Sequence, residues 1–337
     1  MFVDYYMNRL LILFIFSICF SQWSYIDIDG ILRSYYMSYP TNVNPEDNSI
    51  PLIINMHGFG GNAVNQISYT QMNQYAHPQN VAVVYPQGLN NSWNVYTYWD
   101  NNPYDDVSFI SDMIDQIAID FNIDLDRVYA CGMSNGGYMT YRLACDLSDK
   151  ITAFGSATGN FMITNSTNDC QNQDREIPII HFHGTADGVV NYYPPSFDGS
   201  LTISESIDFW TSYNSLNLEN SILINNNVEV YTYSKESSET KFVHYKVIGG
   251  GHTWFGSNWG FHTSEELINF FLQYKLSDFI INQLEGDING DNLINIQDII
   301  LTINLIFSDE YDALADLNSD QTIDIIDVVL LVDLILN

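Results

Sequence analysis

Between about residue 30 and residue 275, compact apolar runs alternate with stretches whose apolar residues recur at helical spacing. Leu52-Ile53-Ile54-Asn55-Met56 runs into His57-Gly58-Phe59-Gly60-Gly61, and Val81-Ala82-Val83-Val84-Tyr85 stops at Pro86. Both read as strands closed by turn signals. Val107, Ile110, Ile114, Ile117 and Phe121 then repeat on one helical face, with Asp105 or Asp106 placed to cap its start. Further strands are expected at Arg127–Cys131, near 151–155, at Ile177–Phe182 and near 241–248. Helices are expected at about 136–148, 202–216 and 263–275. The stretch 217–240 is rich in Asn, Ser and Glu and reads as loop or an edge hairpin. Repeated strand–helix alternation predicts an α/β domain, a mostly parallel sheet covered by helices on both faces.

One of these strands ends in Gly132-Met133-Ser134-Asn135-Gly136, directly before a helix-like segment. A turn this tight has no room for side chains beside the serine, so glycines flank it and the hydroxyl projects outward. A serine hydroxyl is a weak nucleophile and needs a base, which in turn needs an orienting carboxylate. Asp187 follows the strand 177–182 in the loop His183-Gly184-Thr185-Ala186-Asp187. His252 follows the strand 242–248 behind three glycines, Gly249-Gly250-Gly251. Ser134, Asp187 and His252 are therefore the candidate nucleophile, acid and base. Acyl transfer also needs donors for the developing oxyanion. The backbone N–H of Asn135 is one candidate, and Phe59, in the glycine-rich loop after the first strand, is the other. His57 reads as a structural loop residue, because it precedes the serine. His181, His183, His244 and His262 read as structural or substrate-lining. No spacing suggests a catalytic metal.

These pieces resemble the secreted polyhydroxybutyrate depolymerase and feruloyl/acetylxylan esterase-like group of α/β-hydrolases. The resemblance runs through Pro51–Gly58, Tyr85-Pro86-Gln87-Gly88 with Trp93-Asn94, and Asp105–Ile110. It continues in Arg127–Tyr129, Gly132–Gly137, Tyr141–Cys145, His183–Asp187 and Gly250-Gly251-His252-Thr253-Trp254. It implies the α/β-hydrolase fold, a Ser134–Asp187–His252 triad, an ester substrate and a Cys145–Cys170 disulfide. It also implies that Trp93 and Trp254 line the substrate site.

Composition adds compartment and partners. Leu10–Phe20 is an apolar run behind Asn8-Arg9, too short to span a bilayer, and reads as the core of a signal peptide cleaved after Ser21. No membrane span is expected once it is removed, and the mature chain is expected to be extracellular. Of the remaining cysteines, Cys131 should be a buried free thiol, and Cys145 is a candidate partner for Cys170. The net charge of −31 repels phosphate backbones and anionic lipid, which argues against nucleic-acid binding.

That charge is concentrated at the end of the chain, for no Lys or Arg follows Lys275. Asp287, Asn289, Asp291, Leu293, Asn295 and Asp298 occupy positions 1, 3, 5, 7, 9 and 12 of one loop. Asp316, Asn318, Asp320, Thr322, Asp324 and Asp327 repeat the spacing. Leu293 and Thr322 would contribute backbone carbonyls. A hard cation such as Ca²⁺ takes six to eight oxygens, and this spacing can wrap them around one ion. Each loop runs into an apolar helix-like stretch. The tandem resembles a type I dockerin, with Asp in place of Glu at position 12 and no evident helix before each loop. Position 6 is Asn292 and Gln321 where Gly is usual. Gln tolerates a left-handed backbone less well, so the second loop should bind more weakly. The resemblance implies two Ca²⁺ sites, a small all-α domain and a cohesin-like partner.

The expected organisation is a signal peptide over 1–21, an esterase domain over 22–278 and a dockerin-like domain over 285–337. The expected activity is serine esterase action on feruloyl or acetyl esters of polysaccharide, or on hydroxyalkanoate polyester. The alternatives are a peptidase on the same fold, which would need a recognition element for a peptide terminus, and a catalytically silent calcium-dependent binding module.

Overall fold

A computed structural model of the chain describes residues 21–43, 49–97, 102–162, 170, 175–197, 199–279, 285–289, 293–308 and 311–336. Of the expected signal segment 1–21, residues 1–20 lie outside the described residues and Ser21 opens the first strand; Asp291 of the first acidic loop also lies outside them.

A ten-stranded sheet organises the chain. Its strands are β1 (Ser21–Ile28), β2 (Ile31–Ser38), β3 (Ile50–Met56), β4 (Ala82–Gln87), β5 (Ile123–Met133), β6 (Ala153–Ala157), β7 (Ile179–Gly184), β8 (Leu218–Asn225), β9 (Val228–Lys235) and β10 (Ser238–Val247). Their spatial order is β1-β2-β4-β3-β5-β6-β7-β10-β9-β8. The six inner strands from β4 to β10 pair in parallel, while β1–β2–β4 and β10–β9–β8 are antiparallel at the two edges.

The helices beside the sheet are α1 (Ala63–Thr70), α2 (Met72–Ala76), α3 (Asp106–Asp120), α4 (Asn135–Asp146), α5 (Ile203–Tyr213) and α6 (Thr263–Phe271). Two cores result. Leu52, Ile54, Val128 and Ala130 face Phe109, Met113, Tyr138 and Trp210 from α3, α4 and α5. Ile53, Tyr129 and Cys131 face Met72, Ala76, Leu267 and Phe271 from α2 and α6. Every residue of β3 is buried, as a parallel strand covered on both faces requires. Asp105 caps α3 by accepting from Ser108 N–H at 3.0 Å, while Asp106 turns inward to Arg33.

Chain order and spatial order diverge at one place that matters for function. From β3 the chain crosses by α1 and α2 to β4 on one side, then returns by α3 to β5 on the other. Such a reversal opens a crevice at the carboxyl ends of the two central strands, where ligands bind in open α/β sheets. Here those ends carry the loop 57–61 and Ser134.

The polar stretch 217–240 is the edge hairpin β8–β9, with β8 exposed along its length. At the end of the chain, α7 (Ile296–Ser308) and α8 (Ile325–Leu336) each follow one acidic loop and pack against each other. Among the described residues, no helix is long and apolar enough to cross a membrane.

Candidate functional site

Ser134 sits between β5 and α4 with φ 54° and ψ −116°, a strained backbone that aims its side chain off the end of the sheet. Its N–H is held by Ala157 O of β6 at 2.8 Å. Glycine is needed behind it, because a β-carbon on Gly136 would lie 2.4 Å from Met56 O and 2.7 Å from His57 O. Helix α4 thus starts directly against the loop leaving β3. The Asn135 N–H is the first amide of that helix and has no intrahelical acceptor.

The other two candidates arrive from β7 and β10, which pair in parallel with Gly184 beside Val247. His252 Nε2 lies 2.9 Å from Ser134 Oγ, and His252 Nδ1 lies 2.8 Å from Asp187 Oδ2. A carboxylate only accepts, so Nδ1 carries the hydrogen and Nε2 is left to take the serine proton. Asp187 is buried, and its Oδ1 accepts from Val189 N–H (2.8 Å) and Val190 N–H (2.9 Å). Burial would raise its pKa. Hydrogen bonds from His183, His252 and Val189 outweigh that effect and hold the carboxyl well below its ordinary range. The three residues singled out in the sequence therefore meet in one chain of hydrogen bonds.

Beside Ser134 opens a cavity of about 250 Å³, lined in part by Gly58, Phe59, Tyr69, Met133 and His252. Phe59 is exposed at its rim. The loop that carries it is fixed by His57, whose Nε2 accepts from Gly88 N–H at 3.0 Å and whose Nδ1 donates to Gly58 O at 2.8 Å. Burial lowers the His57 pKa to about 4, so the imidazole is neutral and serves the loop as a brace.

The two tryptophans do not line this cavity. Trp93 is fully buried, and its Nε1–H donates to His57 O at 2.8 Å. Its backbone is clasped by the Asn135 side chain, with Trp93 N–H to Oδ1 at 2.7 Å and Nδ2 to Trp93 O at 3.1 Å. Trp254 is also buried and donates to Ser264 Oγ at 3.1 Å. Indole N–H groups demand partners when buried, and both find them inside the protein. Their role is to brace the loops around Ser134 and His252. The sequence did not mark Tyr69, whose hydroxyl accepts from Trp254 N–H at 2.9 Å and lies 3.2 Å from Thr253 Oγ1, tying α1 to the histidine loop. It belongs to no motif.

A larger cavity of about 820 Å³, lined by Arg175, Tyr213, Tyr274 and Phe279 among others, includes none of the three convergent groups. Chemistry, not volume, marks the smaller one.

Comparison with known proteins agrees with this fold. The profile of the Phospholipase/Carboxylesterase family matches residues 37–195. The acetyl xylan esterase of Aspergillus awamori superposes with a TM-score of 0.53 at 14% identity, covering 74% of this chain and 98% of that one. A thermostable esterase gives 0.52 at 18% identity, covering 76% and 63%. The chain has the α/β-hydrolase fold. Among proteins of similar sequence, the bifunctional acetylxylan esterase/xylanase of Neocallimastix patriciarum is 30% identical over 66% of this chain and 31% of its own length. The probable feruloyl esterase C of Aspergillus niger is 28% identical over 51% of this chain and 60% of its own. The chain thus spans 31% of the first of these relatives and 60% of the second. Esterase relatives and the α/β-hydrolase fold together support a serine ester hydrolase.

Elsewhere in the hydrolase region, Cys145 at the end of α4 is bonded to Cys170, and Cys131 on β5 is a buried free thiol. In the acidic loops, Asp287, Asp298, Asp316 and Asp327 are buried. Asp298 accepts from Asn289 N–H (3.2 Å) and Asn295 N–H (2.9 Å), and Asp327 repeats the pattern with Asn318 (3.4 Å) and Asp324 (2.8 Å). Gln321 takes the left-handed backbone, φ 68°, that its position in the loop demands. The donor set is all oxygen, and no Lys or Arg beyond Lys275 balances it, which suits a hard cation. Among the described residues, however, no three His, Cys, Asp or Glu side chains form a ready cage, and the second-loop carboxylates point at loop amides instead.

Proposed function

We propose that this chain is an extracellular serine esterase that cleaves feruloyl or acetyl esters of plant polysaccharide. The observation that carries the reading is the convergence of Ser134, His252 and Asp187 at 2.9 and 2.8 Å beside a cavity at the carboxyl ends of the central strands. Ser134 Oγ attacks the ester carbonyl while His252 Nε2 takes its proton. The same nitrogen returns the proton to the leaving alcohol, and Asp187 holds the imidazole in the tautomer that makes this possible. The amides of Asn135 and Phe59 receive the oxyanion. Water then attacks the acyl-enzyme by the same route. The relatives named above favour polysaccharide esters, and none of them is named for a polyester. A disulfide supports an oxidising compartment.

The two acidic loops, in this reading, hold Ca²⁺ through Asp287, Asn289, Asp291, Asn295 and Asp298, and through Asp316, Asn318, Asp320, Asp324 and Asp327. Leu293 and Thr322 add backbone oxygens. When bound, the ions neutralise the buried carboxylates and order the helix pair for docking to a cohesin-like protein.

Hydrolysis of p-nitrophenyl acetate, p-nitrophenyl butyrate and methyl ferulate, beside Ser134→Ala, tests the activity. Turnover that vanishes in the variant supports the esterase. Equal inertness of both on all three would sink it, and would favour a binding module or a peptide substrate.

A further inference from the structure

Beneath the three convergent residues lies a stack of buried histidines from two paired strands, His181 and His183 of β7 and His244 of β10. Ring centroids are 5.3 Å apart for His181–His183 and 5.1 Å for His181–His244. The mechanism above uses none of them.

The hydrogen on His183 follows from its partners. Its Nε2 lies 2.8 Å from Val190 O, which only accepts, so Nε2 is protonated. Its Nδ1 lies 3.2 Å from His181 Nε2, which is itself 3.1 Å from Gly159 O and is therefore a donor. Both rings are locked as neutral Nε2–H tautomers. The same His183 Nε2–H stands 3.4 Å from Asp187 Oδ2, the oxygen that receives the His252 hydrogen. With Val189 and Val190 N–H on Oδ1, the carboxylate is surrounded by four donors.

We infer that His183 is a positioning residue for the triad, whose Nε2–H, fixed by His181 and by Val190 O, holds Asp187 Oδ2 in line with His252. The inference rests on the esterase reading of Ser134, His252 and Asp187. The titratable groups facing His183 are Asp187, His181, His244 and Tyr192, the last edge-on at 5.9 Å. Burial lowers His244 to about 3 and His181 well below its ordinary value, and it raises Tyr192. None of these three changes charge near neutral pH, so a shift in the rate profile there reports on the Asp187–His252 pair.

His183→Gln and His183→Asn separate positioning from filling space. The Gln amide reaches the place of Nε2, whereas the Asn amide reaches only that of Nδ1. The Gln variant should keep kcat/KM within about threefold. The Asn variant should lose roughly ten- to a hundredfold, mostly in kcat, as expected for one charge-assisted hydrogen bond removed. Its acid limb should move to higher pH, because the carboxylate's charge then bears more fully on His252. Unchanged kinetics in both, or equal losses in both without a shift in profile, would overturn the inference.

Should a variant fail to fold, nitrogen NMR of the unsubstituted, histidine-labelled protein still decides. A ring of His183 protonated on Nε2 is required, and one protonated on Nδ1 would overturn the proposal. Labelling by a fluorophosphonate at Ser134 keeps the two readings apart. An unlabelled Ser134 removes the esterase reading itself, while a labelled, active enzyme indifferent to His183→Asn removes only the role of His183.

Discussion

A β-carbon on Gly184 would stand 2.1 Å from the carbonyl oxygen of Gly250. The loops bearing Asp187 and His252 therefore meet backbone to backbone. Ala186 N–H donates to Gly250 O and Gly249 N–H to Thr185 Oγ1, both at 2.9 Å. Gly184→Ala should force the loops apart and stretch the contact between acid and base. A displacement near 1 Å costs on the order of a hundredfold in rate, and kcat/KM on p-nitrophenyl acetate should fall by that much. Gly188→Ala, with no atom within 4 Å of its added carbon, should leave the rate near normal.

Trp93→Phe separates brace from substrate contact. The change removes the indole N–H and leaves His57 O without that donor. Stability should drop by about 1–2 kcal/mol in a urea melt, and kcat should fall while KM stays put. A rise in KM at constant kcat would reinstate Trp93 as a substrate residue.

Buried histidines set the acid limit of stability. Burial holds His57 near 4 and His244 near 3 in the folded chain, whereas an unfolded histidine takes its proton near about 6.5. The unfolded chain thus binds more protons below that pH, and stability rises with pH across the window. It should be fully present above about pH 6.5 and lost as pH falls toward about 4. Calorimetric melts between roughly pH 5 and pH 8 should show Tm falling on acidification. A flat Tm would mean that these rings are hydrated.

Cys145 and Cys170 close a loop of sequence separation 25. On loop entropy, losing the bond should cost about 3 kcal/mol. Cys145→Ser with Cys170→Ser should melt lower than the oxidised protein and should no longer respond to reductant. An unchanged melt would show that the link is redundant.

Chelation should act on the end of the chain alone. EDTA is expected to loosen α7 and α8, seen as lost helical signal and faster proteolysis after Lys275. Esterase turnover by the α/β-hydrolase region should persist. Excess Ca²⁺ should restore the helices, and indifference to both would remove the cation from the reading.

The candidate triad was legible because each member follows a strand in a glycine-marked turn, a pattern that needs no knowledge of distant contacts. Burial was not so legible. Trp93 and Trp254 stand next to the motifs in sequence but point inward, and only the packed structure separates a wall from its brace. Helix α1 was hidden for a different reason. Its inner face carries Gln66 and Thr70, buried and bonded to Met56 O and Asn55 Nδ2 respectively, so no apolar stripe announces it. The stretch 217–240 could be read as either loop or an edge hairpin, because an edge strand exposed along its length has no buried face to impose alternation.

The chemistry of this protein leaves from the carboxyl ends of β3, β5, β7 and β10, whereas the turn at Glu236–Ser237, between β9 and β10, lies at the opposite end of the sheet. An affinity handle or a surface anchor inserted there would hold the molecule mouth outward. The enzyme could then be immobilised on a solid support with its cleft still open to an insoluble polymer.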